Sequence, residues 1–446
     1  MGDLHGVRGP TRWGLRMAAA RTSALLSVLF LAVYGGTNWI TSRRTDVGTW
    51  YYEWELAIPF VPLMIVPYMS IDLFFVAAPF LCRGESELRT FSRRTSFAIV
   101  TAGVCFLLFP LRLAFEKPEV QGWLGAIFQT FLGLDEPYNL LPSLHITLRS
   151  ILVDLYARHT QGLAQGAVHV WFCLIGFSTV LTHQHQVVDV LGGFVLAGFC
   201  FYLFSEASHP IGGAKNLRVA LCYGIGSGVA LMLAVATWPW GSVLLWPALG
   251  MAIIMAAYCG LGPGVYRKSN GRLPFGTWFV LGPVLLGQYL SLLHYRRKGS
   301  AWNEVTPRLL IGRRLSNGEA AAAVGQGVTA VLDLTAEFSE VRSFRGMHYH
   351  NTPILDLTAP TLEQMREAVQ FIRRETASGK VYVHCKIGYS RSAAVVGPYL
   401  LASGQAGTAD QALAFLREAR PPIVIREEAV RAIRGWERDA RERMAA

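Results

Sequence analysis

The sequence lacks most of the signals that mark a secreted, metal-holding or nucleic-acid-binding protein. It has no low-complexity segment and no short internal repeat. Its seven cysteines show no metal-ligand spacing. Six of them, Cys82, Cys105, Cys173, Cys200, Cys222 and Cys259, lie in or beside apolar runs. They read as small apolar residues and not as a disulfide framework. No cleavable leader is evident. Arg8, Arg12, Arg16 and Arg21 precede a run too long for a signal-peptide core, so a signal anchor is expected. The net charge of +11 is uneven: residues 1–300 carry 22 Lys+Arg against 14 Asp+Glu, and residues 301–446 carry 19 against 16. The positive excess therefore falls in the apolar part, where it signals topology beside anionic lipid. Nucleic acid is not an expected partner.

What is present is apolar length. Hydrophobic residues make up 52% of the 446, too many for one soluble domain of this size. Stretches of spanning length occur near 22–40, 57–81, 95–115, 166–182 and 187–205. A shorter one near 143–157 contains Arg149 and Asp154, and three more follow near 219–238, 241–260 and 275–294. The basic N-terminus and the loop 83–94 are expected to be cytoplasmic, which puts 116–142 and 182–186 together on the opposite face. Nine full crossings would carry the C-terminus outside. "RRK" at 296–298 signals the cytoplasm instead, so one of the last three segments is expected to be re-entrant or interfacial.

After residue 300 the texture changes. Strands are expected at 307–315, 328–334, 348–355 and 380–385. Helices are expected at 361–375, capped by Thr361, and at 392–402, 409–419 and 425–440. The expected fold class is an all-α multi-spanning membrane bundle followed by a soluble α/β domain. The boundaries are a cytoplasmic segment 1–21, a membrane domain 22–205, additional segments and linker 206–299, and the α/β domain 300–446.

The stretch "VHCKIGYSRSAAV" (383–395) places His384, Cys385, Arg391 and Ser392 in the order H-C-x5-R-S. Phosphate monoesters resist hydrolysis because the dianion repels nucleophiles and the leaving group is poor. Here a strand ends at Cys385 and a helix begins near Ser392. The N–H groups of Lys386, Ile387, Gly388, Tyr389 and Ser390 would point at a bound anion, at the positive pole of that helix. The same field lowers the thiol pKa. Arg391 would grip two phosphate oxygens in a bidentate fork. Gly388 permits the tight turn. His384 would orient the loop, and Ser392 would donate to the thiolate as it leaves. The acid must come from another loop. Asp356 in "TPILDLTAP" stands 29 residues before the cysteine, and Asp333 in "AVLDLTAEF" is a competitor inside a strand pattern.

Residues 302–440 resemble the dual-specificity branch of the protein tyrosine phosphatase superfamily. The resemblance implies a phosphocysteine intermediate at Cys385, an Arg391 clamp and Asp356 as acid then base. It implies no metal and no cofactor. Members act on phosphotyrosine, phosphoserine/threonine or phospholipids.

A second constellation lies in the apolar half. "NLLPSLHITLR" (139–149) holds Ser143, His145 and Arg149, and "STVLTHQHQVVDVLGG" (178–193) holds His185 and Asp189 at i, i+4. That spacing is expected to place His185 and Asp189 on one helix face, where the carboxylate holds the imidazole tautomer. His183 is a weaker alternative, since its i+4 partner is Val187. Two histidines can carry phosphoryl transfer, one attacking phosphorus and the other protonating the leaving group. Ionisable residues in such surroundings are functional candidates.

Residues 20–205 resemble the type 2 phosphatidic acid phosphatase superfamily, in particular its inositol-phosphorylceramide-synthase-like branch. The shared pattern is P-S-x-H followed by H-x3-D. The resemblance implies His185 as nucleophile, His145 as acid and Asp189 as orienter, within a six-helix core. Thr179 stands where the main branch has arginine; the synthase-like branch also lacks that arginine. In place of the superfamily's first motif, a lysine followed by Arg-Pro, "FPLRLAFEKP" (109–118) offers Arg112 and Lys117, and with Arg149 these are the candidates for oxyanion binding.

Three readings compete. One is a bifunctional membrane phosphatase acting on phospholipid or lipid-linked phosphate. Another is a head-group transferase whose cysteine domain removes a phosphate. The third is a phosphoprotein phosphatase whose membrane half anchors or senses. The expected location is a membrane, as in a bacterial inner membrane, with the C-terminal domain cytoplasmic and the histidines on the opposite face.

Overall fold

The computed structural model describes residues 12–115, 118–132, 137–206 and 212–445. The chain divides into two compact units, Met1–Glu206 and Ala207–Ala446.

The first unit is helical: α1 (Arg12–Thr41), α2 (Ile65–Ala77), α3 (Glu85–Leu108), α4 (Gly122–Leu132), α5 (Leu144–Arg158), α6 (Gly162–Leu181) and α7 (Val187–Leu203). The stretch expected at 57–81 is broken, because Pro59 and Pro62 disfavour helix at the residues before them. Two 3-10 turns, Glu53–Ala57 and Pro62–Met64, precede α2. α3 starts ten residues earlier than expected, with Glu85 and Glu87 in its first turn, where the helix dipole favours anions. The loop read at 83–94 is thus mostly helix. α4 lies where only a loop was expected. Asp154 of α5 is paired twice: Arg94 Nη1 lies 3.2 Å from its Oδ2, and Arg158 Nη2 also 3.2 Å from it. Leu26, Phe75, Ile99, Phe106, Leu152 and Phe172 are among the buried side chains of this unit.

The second unit begins with α8 (Leu217–Ala236), α9 (Leu245–Ala256) and α10 (Phe275–Tyr295). A single turn, Ala257–Leu261, prolongs α9, and Gly260 ends it at φ 135°. Pro283 removes an N–H inside α10, freeing the Phe279 carbonyl. The Trp246 indole takes that carbonyl at 2.7 Å. Among the described residues, seven helical stretches are long and apolar enough to cross a membrane, and α7 is a shorter apolar helix.

The α/β domain follows directly. Its elements are β1 (Trp302–Thr306), β2 (Leu309–Arg313), α11 (Asn317–Gly325), β3 (Val328–Thr335), α12 (Arg342–Arg345), β4 (His348–Ile354), α13 (Leu362–Ser378), β5 (Lys380–Cys385), α14 (Ser390–Ala402), α15 (Ala409–Ala419) and α16 (Glu427–Ala445). The sheet order is β1-β2-β5-β3-β4; β1 pairs antiparallel with β2 and the rest pair parallel. β5 is central and buried along most of its length, so its C-terminal end opens at the middle of the sheet edge where such folds place ligands. Thr361 caps α13, accepting from Gln364 N at 3.2 Å. Both ends of α10 are tied to this domain. Before it, Leu273 N donates to Ser339 Oγ at 2.9 Å; near its end, Ser291 Oγ accepts from Lys386 Nζ at 2.9 Å.

Candidate active site

Cys385 ends β5, and α14 begins at Ser390, two residues earlier than the sequence suggested. The intervening loop turns at Gly388, whose φ is +75°; a Cβ there would stand 2.3 Å from the Gly312 carbonyl oxygen. Only glycine fits. The Gly388 N–H donates to Cys385 Sγ at 3.3 Å. Burial alone would push the thiol up. The Arg391 charge, the Ser392 hydroxyl and the N–H groups of Ile387 and Tyr389 outweigh burial and hold it below the ordinary thiol value.

Arg391 sits in the first turn of α14 and is buried. Glu337 grips it with both oxygens, at 2.7 Å and 3.0 Å, and the Ile354 carbonyl accepts from Nη1 at 2.9 Å. The fork is thus aimed before any phosphate arrives. Asp356 follows β4 and lies half-buried, with Oδ1 3.3 Å from Arg391 Nη2 and Oδ2 3.6 Å from Lys386 Nζ. Burial would raise its carboxyl; Arg391 and then Lys386 more than offset that and hold it below the usual carboxylate range.

A cavity of about 700 Å³ opens over these groups. Its floor includes Cys385, Arg391, Asp356 and Glu337, with Lys386, Ile387, Tyr389 and Ser390 beside them. Its other wall is helical: Val219 and Tyr223 of α8, Met251 of α9, and Pro283, Val284 and Gly287 of α10.

Three expected substrate-binding residues do not face that cavity. His384 is buried beneath the loop, its Nε2 2.7 Å from Glu340 Oε2 and its Nδ1 3.3 Å from the Cys385 carbonyl. Burial would lower its pKa, but the Glu340 and Asp333 carboxylates raise it above the ordinary imidazole value. His384 therefore props the loop from below. Gly388 offers its N–H to the sulfur, and the buried Ser392 hydroxyl lies against the same sulfur. Asp333, the competing acid, lies in a buried hub. Lys268 Nζ donates to it at 2.5 Å, Tyr349 at 2.8 Å and Thr335 Oγ1 at 2.7 Å. Burial raises its carboxyl, while Lys268 and His384 bring it down to about 2. Asp333, Glu340 and His384 also place one ligand atom each within 4.8 Å of one another. The Lys268 ammonium already supplies the cation there.

The sequence reading missed Glu337, Glu340 and Lys268. The two carboxylates of "AEFSE", Glu337 and Glu340, carry no spacing signal toward a cysteine some fifty residues away. Lys268 is one of the basic residues of 1–300 whose excess reads, from sequence alone, as a topology signal.

In the first unit, the structure brings together Ser143, His145, His185 and Asp189. The His145 ring stacks on Tyr68 at 4.2 Å and is close enough to His185 for the two to interact electrostatically. The expected shared helix face is not formed, because α7 starts at Val187 and His185 lies in the turn before it. Asp189 Oδ2 instead caps the helix, accepting from Gln186 N at 2.9 Å, and stands 3.7 Å from His185 Nδ1. That is too long for a hydrogen bond. Ser143 is the buried cap of α5, its Oγ accepting from Ile146 N at 3.3 Å. Arg149 turns toward α6, donating to the Phe172 carbonyl at 2.7 Å. Arg112 is exposed, and Lys117 lies outside the described residues.

Residues 315–439 match the family model "Dual specificity phosphatase, catalytic domain". The chain is similar to mouse "Dual specificity protein phosphatase 2", 32% identical over 123 residues, which is 27% of this chain and 38% of that protein. It is also similar to mouse "Phosphatidylglycerophosphatase and protein-tyrosine phosphatase 1", 33% identical over 93 residues, 20% of this chain and 48% of that protein. The chain thus spans less than half the length of these curated relatives. Among solved structures, "Crystal Structure of PTPMT1" overlays 32% of this chain and 98% of its own at 24% identity and a TM-score of 0.30. The C-terminal α/β domain is a dual-specificity phosphatase catalytic domain, that of a phosphoric monoester hydrolase.

Proposed function

We propose that the chain hydrolyses phosphate monoesters of lipids through a phosphocysteine at Cys385. Cys385 Sγ attacks phosphorus while Arg391 and the loop N–H groups hold the phosphoryl oxygens. The P–O bond to the leaving group breaks, and Asp356 delivers a proton to that oxygen. Water then attacks the phosphocysteine, its proton passes to the Asp356 carboxylate, and the sulfur departs as a thiolate met by Gly388 N–H and Ser392. No step needs a metal.

The observation that carries the lipid reading is the cavity wall. α8, α9 and α10, each part of a stretch of spanning length, form one side of the space over Cys385. An apolar tail has a place there next to its phosphate. Gly287 gives a direct test. It lines the cavity, and a Cβ added to it would meet nothing within 4 Å. Gly287→Leu therefore starts a side chain in open space and extends it toward the tail region. We expect kcat/KM for a long-chain lipid phosphate to fall at least about tenfold, with p-nitrophenyl phosphate unchanged. Equal effects on both substrates, or a wild-type preference for a phosphotyrosine peptide, sink the lipid reading. The second reading is a phosphoprotein substrate, supported by the likeness to the mouse dual specificity protein phosphatase.

For the first unit we propose a histidine-dependent lipid phosphate hydrolase or head-group transferase. The reading is supported by the juxtaposition of His145 and His185 beside buried Asp189. His185 would attack phosphorus and His145 would protonate the leaving group. Its test is lipid phosphate turnover, with and without an alcohol acceptor, in the Cys385→Ser background. Loss of the residual turnover in His185→Ala supports the reading; unchanged turnover rejects it.

We further propose a membrane location with the catalytic cysteine on the cytoplasmic side. The support is the basic "RRK" after α10, together with the tie of both α10 ends to one domain, which makes α10 the non-crossing segment. Protease protection of the C-terminal domain in oriented vesicles tests this.

A further inference from the structure

The loop that carries Asp356 is held from the helical segment of its own unit. Two consecutive carbonyls of that loop are taken by side chains from outside the α/β domain. Tyr258, in the turn that prolongs α9, donates its hydroxyl to the Asp356 carbonyl at 2.8 Å. Asn216, the cap of α8, donates Nδ2 to the Leu357 carbonyl at 2.8 Å. A third tie comes from α10, where Ser291 Oγ accepts from Lys386 Nζ at 2.9 Å, and the same ammonium lies 3.6 Å from Asp356 Oδ2.

The clamps are themselves fixed. Asn216 Oδ1 accepts from Val219 N at 3.2 Å, and Asn216 N donates to the Tyr258 carbonyl at 3.0 Å. The Tyr258 ring stacks on Tyr223 at 5.9 Å. Between the two held carbonyls, Leu357 has φ +59°. A bulky residue seldom keeps that left-handed conformation unless its surroundings impose it. The clamped carbonyls are such an imposition.

We infer that Asn216, Tyr258 and Ser291 are positioning residues for the phosphatase reaction: they hold Asp356 over the cysteine loop before substrate binds. Proton donation to the leaving group then depends on α8, α9 and α10, while nucleophilic attack by Cys385 does not. The inference rests on the proposed role of Asp356 as the acid.

Leaving-group dependence separates positioning from packing. The substrates are p-nitrophenyl phosphate, whose leaving group needs little protonation, and phenyl phosphate, which has nearly the same shape and needs more. The full-length protein in detergent is compared with the Asn216→Asp/Tyr258→Phe double variant, in which the aspartate still caps α8 but cannot donate. We expect kcat/KM, which reports the step that expels the leaving group, to fall about tenfold more for phenyl phosphate than for p-nitrophenyl phosphate, a part of the roughly 10²–10⁴-fold range of general acid catalysis. The rate of Cys385 alkylation by iodoacetate should not change. If kcat/KM falls equally for both esters, the helical segment only packs against the domain and the inference fails. Asp356→Asn is the control for the underlying reading. If it shows no leaving-group preference, Asp356 is not the acid and the inference falls with it. If it shows the preference and the double variant does not, only the clamp is refuted. Should the double variant not fold, Tyr258→Phe alone removes one hydroxyl and is judged by the same ratio.

Discussion

The two phosphoryl-transfer candidates differ in how their charges are held. In the cysteine site, Arg391, Lys386 and His384 each face a carboxylate. In the histidine site, His145 Nε2, His185 Nδ1 and Asp189 Oδ1 are buried and make no hydrogen bond among the described residues. A buried polar atom without a partner is costly. The first arrangement is electrostatically assembled before substrate binds, so its catalytic power lies in groups that need not reorganise. The second keeps its reactive atoms unspent, as a site must if a ligand is to complete it.

The comparison can be broken most sharply at the nucleophile. Cys385→Ser should reduce metal-free release of phosphate from aryl phosphates by at least about 10³-fold, read as initial rates in the full-length protein. A surviving rate would move that activity to the histidines. Next in size is the acid. Asp356→Asn should cost about 10²-fold toward phenyl phosphate. Its carboxyl is held below its ordinary value in the free enzyme, so the protonated form is lost as pH rises. The thiol is also held low, so the thiolate persists into acid. Wild-type kcat/KM should therefore fall as pH rises from about 5 to 8, and Asp356→Asn should flatten that limb. A flat wild-type profile would contradict the assignment.

A smaller change tests the assembled network as structure. Lys268 and Asp333 are a fully buried pair. Lys268→Met leaves the carboxylate uncompensated and should lower unfolding free energy by about 3–5 kcal/mol, measured by denaturant titration. Adding Asp333→Asn should restore part of it; an additive loss instead would mean the two are not coupled. The smallest expected effect is in the histidine site. Arg149→Ala should change lipid phosphate turnover less than about threefold, because its guanidinium serves the Phe172 carbonyl, a bond of modest net worth. A larger loss would restore Arg149 as an oxyanion ligand.

The α/β domain was largely legible. The strand expected at 380–385 is β5, and the helix expected at 409–419 is α15. Local patterns encode those elements, and the motif around Cys385 encodes its own loop. The helix at 317–325 was passed over, although its Ser316–Glu319 capping box is a readable start signal. The strand at 302–306 gave no such signal, since β1 is an edge strand with little burial. What local pattern could not give was the partners. Glu337 meets Arg391 across 54 positions and Glu340 meets His384 across 44, distances that only the folded sheet closes. The i, i+4 argument for His185 and Asp189 failed for a different reason. It assumed a helix through both residues, and the capping of Gln186 by Asp189 starts the helix between them.

The buried Lys268 also orders events in time. It precedes Asp333 by 65 positions. At translation rates of about 5–20 residues per second, its ammonium is made some 3–13 s before the carboxylate that will neutralise it. During that interval the charge has to remain outside an apolar interior, and the connector between α9 and α10 cannot seat on β3. Final docking of the three apolar helices must therefore wait for β3. It follows the synthesis of β3, and it carries the acid loop into place with it.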